Sequence, residues 1–124
     1  MLQDSQVFAS IPAADLARAR GWYEEKLGLT PSQEMPGGHI YMCGEGTAFL
    51  LYETSFAGTG QHTIAGWRVG DLAKEMAELR NRGVTFEDYD LPGLKTTDGV
   101  ATMDGMSTAW FKDCEGNTLN VSQM

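Results

Sequence analysis

Two stretches of this chain follow one plan. Val7-Phe8-Ala9-Ser10-Ile11-Pro12-Ala13-Ala14-Asp15-Leu16 and His62-Thr63-Ile64-Ala65-Gly66-Trp67-Arg68-Val69-Gly70-Asp71-Leu72 are β-prone runs that both close on Asp-Leu, with Asp15 and Asp71 56 positions apart. A helical pattern follows each. Leu16, Ala19, Tyr23 and Leu27 share one helix face, as do Leu72, Met76 and Leu79 in the second copy. Asp15 and Asp71 stand where a carboxylate accepts hydrogen bonds from the free amides of a first turn. Gly28 and Gly83 stand where a left-handed residue ends a helix. The ends of the copies match as well. Glu45-Gly46-Thr47-Ala48-Phe49-Leu50-Leu51-Tyr52 aligns with Glu115-Gly116-Asn117-Thr118-Leu119-Asn120-Val121-Ser122 at a spacing of 70, the surplus lying mostly in residues 91–99.

A repeat this long, present twice, is a duplicated module rather than a solenoid. Each half reads strand, helix, then three strands, with strands expected near 5–11, 33–36, 38–44, 47–53, 62–69, 84–89, 106–112 and 117–123. The expected fold class is α+β: two βαβββ modules, about 1–58 and 59–124, whose curved mixed sheets flank a trough with the helices outside. A chain of 124 residues fits one such domain. Period-2 alternation packs Val7, Ala9 and Ile11, then Ala65, Trp67 and Val69, then Leu119 and Val121, beneath the helices. The opposite face carries Phe8, Ser10, Ile40, Met42, Leu50, Tyr52, His62, Ile64, Arg68, Trp110 and Asn120. That mixture of apolar, aromatic and a few polar groups is the usual lining of a small-molecule pocket.

Charge and composition narrow the partners. Seventeen acidic residues against nine basic ones give a net charge of −8, which repels duplex phosphates and anionic membranes. The longest apolar run, Ala48-Phe49-Leu50-Leu51-Tyr52, is far short of the roughly 18 residues a membrane span needs. The start carries neither the basic nor the apolar region of a signal peptide. The expectation is a cytoplasmic protein that engages a small molecule and neither nucleic acid nor membrane. Cys43 and Cys114 lack a C-x-x-C partner, so they form no disulfide framework and no zinc ribbon, and Cys43 reads as a buried structural thiol. No serine sits in a G-x-S-x-G context. Asp88 and Asp90 share a face as solvated acids.

The chain resembles the vicinal oxygen chelate superfamily, the glyoxalase/bleomycin-resistance/extradiol-dioxygenase group. The resemblance runs through Ile11-Pro12-Ala13-Ala14-Asp15-Leu16, Trp22-Tyr23-Glu24-Glu25-Lys26-Leu27-Gly28-Leu29, Leu79-Arg80-Asn81-Arg82-Gly83-Val84 and Ala109-Trp110-Phe111-Lys112-Asp113-Cys114-Glu115-Gly116-Asn117. The last is similar to the family's Phe-x-Asp-Pro-x-Gly-Asn turn, with Cys114 in place of proline. The resemblance implies paired βαβββ modules, a trough between them and a homodimer. It also implies four metal-ligand positions: one seven residues before the Asp that opens each helix, and one in each last strand. Here those positions hold Phe8, Ile64, Leu50 and Asn120. Three hydrocarbon side chains and one amide do not hold a transition metal.

The reading that follows is a metal-free, cofactor-free small-molecule binding protein for an antibiotic or another aromatic or cationic compound. Its ligand-binding residues are Phe8, Leu50, Tyr52, His62, Ile64, Arg68, Trp110 and Asn120. The enzymatic alternative is a lyase, isomerase or dioxygenase with a relocated metal, or an acid–base site around His62 and Arg68. His39, His62 and Glu53 would form a metal triad only in a register that alternation does not provide. A third reading is an interaction module whose trough is filled by its own side chains.

Overall fold

A computed structural model describes all 124 residues. The first module contains β1 (Ala9–Ala13), α1 (Leu16–Leu27), β2 (Gln33–Met35), β3 (Gly38–Met42) and β4 (Ala48–Glu53). The second contains β5 (Thr63–Arg68), α2 (Leu72–Asn81), a small hairpin of β6 (Asp90–Leu91) and β7 (Leu94–Lys95), then β8 (Ala101–Met103), β9 (Met106–Lys112) and β10 (Thr118–Gln123). Each module builds a four-stranded mixed sheet, in the orders β1-β4-β3-β2 and β5-β10-β9-β8. The one parallel pair in each sheet, β1 with β4 and β5 with β10, is the crossover that the helix makes possible.

The strand registers bear out both sequence spacings. Ala9 faces Phe49 in the first sheet, and Ala65 faces Leu119 in the second. The antiparallel pairs repeat in the same way: Ile40 opposes Leu50 as Trp110 opposes Asn120. Both helices start as the sequence indicates, the Asp15 carboxylate accepting from the Arg18 amide and the Asp71 carboxylate from the Lys74 amide, each at 3.1 Å. Gly28 ends α1 in the left-handed region (φ 70°), which costs a residue without Cβ nothing.

Each helix buries its apolar stripe: Ala19 and Tyr23 from α1, and Leu72, Met76 and Leu79 from α2. The strands supply Ile11, Tyr41, Phe49, Leu51, Phe111, Leu119 and Val121, and all of these join one continuous core on the helix side of both sheets. The modules meet where β1 and β5 run alongside each other. Phe49 and Trp67 touch edge to face across that seam, their centroids 5.9 Å apart. Farther out, the Arg82 guanidinium at the end of α2 donates to the Glu25 carbonyl in α1.

One end of the seam is closed by the turn of residues 113–117. Asp113 accepts from the amides of Glu115 and Asn117, from Asn117 Nδ2, and from the buried Tyr23 hydroxyl at 2.7 Å. Asn117 Nδ2 also reaches the Pro12 carbonyl, and its Oδ1 accepts from the Gly58 amide. Glu115 accepts from the amides of Ala14 and Asp15 and from Arg18 at 3.0 Å, so it caps a helix of the other module. A Cβ on Gly58 would overlap the Glu115 carbonyl, so this loop can close on the turn only as glycine.

Four sequence expectations change. The stretch 84–89 is not a regular strand; it meets β9 at a single Phe86–Phe111 bridge and through the Glu87 amide to the Trp110 carbonyl. The chain then leaves for the β6–β7 hairpin and returns as β8, so the edge of this sheet is built from two short pieces. Asp88 is not a simple solvated acid, because it accepts from Thr96 Oγ1 and the Gly99 amide and thereby shapes that excursion. Val7 lies before β1 and is exposed rather than packed beneath α1. Finally, β5 carries a bulge beside Thr118 and Leu119, and an extra residue in a strand reverses the alternation before it.

Candidate functional site

The trough faces are the sides of the two sheets turned away from the shared core. In the second sheet the bulge decides which residues arrive there. Thr63 pairs with Thr118, whereas Ala65 pairs with Leu119, so Ile64 is the surplus residue. Thr63 therefore takes the trough position that plain alternation gives to Ile64, and Ile64 packs against the core instead. His62 lies outside β5, exposed, its ring folded over Gly60.

What gathers on this face is aromatic and polar. The Trp110 indole N–H donates to Thr63 Oγ1 at 3.0 Å, which fixes the plane of the ring. Tyr89 stands edge-on to the same ring, centroids 5.7 Å apart. Asn120 neighbours Trp110 across the strand pair, and its carboxamide lies over Gly66, where any Cβ would collide with it. Lys112 binds Glu87 at 3.4 Å and completes the far side. Sequence reasoning found Trp110 and Asn120 but missed Thr63 and Tyr89. Thr63 was hidden by the bulge, and Tyr89 by the irregular edge that replaces a regular strand.

In the first sheet Leu50 pairs with Ser10 and Ile40, and Tyr52 pairs with Pro12 and Gly38, which leaves both half-buried on the trough side. Phe8 precedes β1 and is 60% exposed. No side-chain hydrogen bond, ion pair or ring contact joins the trough-face residues of the first sheet to Trp110, Asn120 or Tyr89. Arg68 pairs with Ser122, on the same face of β5 as Gly66 but at the end of the strand. With Gly66 it lines a cavity of about 620 Å³, at the end of the seam opposite the closing turn.

The family's divalent metal does not fit the donors present. Phe8, Leu50 and Ile64 offer no lone pair, and the single amide of Asn120 is folded onto Gly66. No three His, Cys, Asp or Glu side chains come together elsewhere. His39 and Glu53 do line one cavity, beside the start of α1 with Asp15 and Arg20, and the His39 Nδ1 there has no hydrogen-bond partner. That cavity is on the helix side, away from His62.

Perturbed groups cluster at the closing turn rather than in the trough. Burial, and then the neighbouring Asp113, drive the Tyr23 hydroxyl far above the ordinary phenol range. Burial likewise raises the Cys114 thiol, and the neighbouring Asp113 adds to it. Tyr41 is pushed up to about 12, chiefly by burial against a weaker opposing effect of Arg20. Burial alone would raise the Glu115 carboxyl, but the Ala14 and Asp15 amides and Arg18 outweigh it and hold it below the usual carboxylate range. The shifts of Tyr23, Cys114 and Glu115 belong to a structural clamp.

No helix is long and apolar enough to cross a membrane. No curated protein matches this chain significantly. Among solved structures, a bleomycin-binding protein complexed with bleomycin superposes with a TM-score of 0.71 at 18% identity, covering 97% of this chain and 98% of that one. A glyoxalase/bleomycin resistance protein from Catenulispora acidiphila gives 0.68 at 21% identity, over 96% and 97% of the chains. A lactoylglutathione lyase from Agrobacterium tumefaciens gives 0.71 at 15% identity, over 96% and 93%. Likeness at these identities establishes the fold alone. Residues 6–121 match the family model of the Glyoxalase/Bleomycin resistance protein/Dioxygenase superfamily, and the chain belongs to that superfamily.

Proposed function

We propose that this protein binds a planar, aromatic or cationic small molecule in its trough without a metal, and acts by holding it. The observation that carries this reading is the Trp110 indole, fixed by Thr63, flanked by Tyr89 and left half-buried beside the Asn120 amide. A ring held in this way is a stacking platform worth about 0.5–1.5 kcal/mol beyond the area it covers. Asn120 can donate and accept at its edge. Leu50 and Tyr52 supply the first module's share of the trough. Binding needs no nucleophile and no metal donor, which matches the residues at the four family positions. The net charge of −8 favours a cationic ligand. Neighbours of the same fold include a bleomycin-binding protein and an antibiotic-binding protein. In the same reading the protein works in the cytoplasm as a homodimer, with exposed Phe8 and Met42 among the apolar groups a second copy would cover.

The test is a fluorescence titration of the full chain with bleomycin and a panel of planar aromatic cations. Saturable quenching by at least one of them, weakened about tenfold or more in Trp110→Ala, is expected. Absence of saturable binding across the panel, or equal affinity in the variant, overturns the reading.

A further inference from the structure

The two ends of the seam ought to match, since the registers make Cys43 and Thr47 the counterparts of Asp113 and Asn117. They do not. The 113–117 turn fills its end with Asp113, Asn117 and Glu115, whereas the 43–47 turn bonds only to itself. The Cys43 amide donates to the Thr47 carbonyl, and Thr47 Oγ1 donates to the Gly44 carbonyl. Glu45, the counterpart of Glu115, is exposed with neither a hydrogen bond nor an ion pair. What stays open is the notch of about 620 Å³, between Cys43, Glu45 and Thr47 on the turn and Trp67 and Arg68 on β5, with Phe49 behind. That volume lies within the range of about 300–1,000 Å³ for ligand pockets.

Arg68 gives the notch its chemistry. Of the five arginines, Arg18, Arg20 and Arg82 form ion pairs and Arg80 donates to the Asp98 carbonyl. Arg68 alone has no such partner, in a chain with nearly twice as many acidic as basic side chains. An unpaired guanidinium beside aromatic walls is matched to a carboxylate, which it can grip with two parallel N–H bonds. We propose that this notch is a second small-molecule site, for a monoanionic organic acid whose carboxylate pairs with Arg68 and whose apolar body lies against Phe49 and Trp67. Glu45 is the one carboxylate on the wall, and it would repel a second negative charge on the ligand. Trp110 is not part of its lining, and the notch meets the trough only at Gly66, beneath the Asn120 carboxamide.

The experiment is an amide NMR titration of the full chain with phenylacetate, using phenylacetamide as the uncharged counterpart. Saturable shifts confined to residues 43–47 and 65–68, with phenylacetamide at least tenfold weaker, are expected. Arg68→Ala should weaken phenylacetate at least tenfold, while Lys95→Ala, which removes a charge outside the notch, leaves it unchanged. Ala48→Trp, which fills the notch from β4, should block binding. The proposal is overturned if phenylacetate gives no saturable shift, if the shifts map to residues 110 and 120 instead, or if Arg68→Ala binds as the parent does.

Discussion

The turns at 43–47 and 113–117 occupy equivalent places in two copies of one module, yet one is a clasp and the other a notch. Both close a strand pair, both carry Glu-Gly at matching positions, and both lead into strands of the same register. The difference comes down to very few side chains. Tyr23, Asp113 and Asn117 form a buried polar network that crosses the seam, whereas Leu79, Cys43 and Thr47 are the residues at the corresponding positions in the other copy. Apolar patterning and register, repeated throughout, are enough to reproduce the fold. Whether an end is sealed depends on a polar network that either has all its partners or does not form.

The comparison breaks if the clasp is not what holds its end together. Asp113→Ala removes the acceptor for four donors, three of them in buried and one in half-buried positions. Unsatisfied buried donors cost about 1–3 kcal/mol each, part of which rearrangement recovers, so a loss of about 3–4 kcal/mol is expected. Thermal unfolding should show it as a fall of about 10 °C or more. Cys43→Ala, at the equivalent position, should change stability by no more than about 1 kcal/mol, since Cys43 makes no side-chain hydrogen bond and packs only partly against the core. Equal losses at the two positions would mean that the ends are not functionally different.

The sequence carried the module plan because long-period repetition, helix caps and period-2 patterning are local signals. Asp15, Asp71, Gly28 and the buried stripe of α2 are where those signals place them. Trough residues were legible only where the strands stay regular. Asn120 and Trp110 sit in unbroken β10 and β9, so alternation reaches them. Thr63 and Ile64 exchange places because one bulge shifts the parity, and nothing in His62-Thr63-Ile64 marks it. Tyr89 rides on an excursion shaped by Asp88 and Thr96, a contact between side chains eight residues apart. The notch was invisible for a different reason. It is an absence, defined by what its twin does, and it becomes apparent only when the two copies are compared in three dimensions.

A gentler probe of the clasp is Tyr23→Phe, which deletes one hydroxyl bonded to a carboxylate and leaves the ring in place. The expected loss is about 1.5–3 kcal/mol, the usual worth of a hydrogen bond to a charged group. Its pH dependence identifies the group. The folded phenol titrates well above its ordinary value near 10, so its contribution is fully present below pH 10 and is lost as pH rises beyond it. The melting temperature of the parent should drop between pH 10 and 11 more steeply than that of Tyr23→Phe. Parallel curves would show that the hydroxyl does not sense the fold.

The smallest expected effect lies on the acid side and tests the link between modules. Glu115 is held below the usual carboxylate value of about 4.3 because its charged form accepts two amides at the start of α1 and the Arg18 guanidinium. A carboxyl whose folded value is lowered stabilises the fold above its unfolded value, and that stabilisation disappears as pH falls through the folded one. Glu115→Gln keeps an oxygen for one amide but has no charge to titrate. It should cost about 1 kcal/mol or less at pH 7, and its melting temperature should decline less than that of the parent between pH 5 and pH 3. Glu45→Gln, in the open turn where the side chain has no partner, should leave stability at pH 7 within about 0.5 kcal/mol of the parent. If Glu45→Gln instead costs as much as Glu115→Gln, the 43–47 turn also grips its neighbouring module, and the notch is closed in solution.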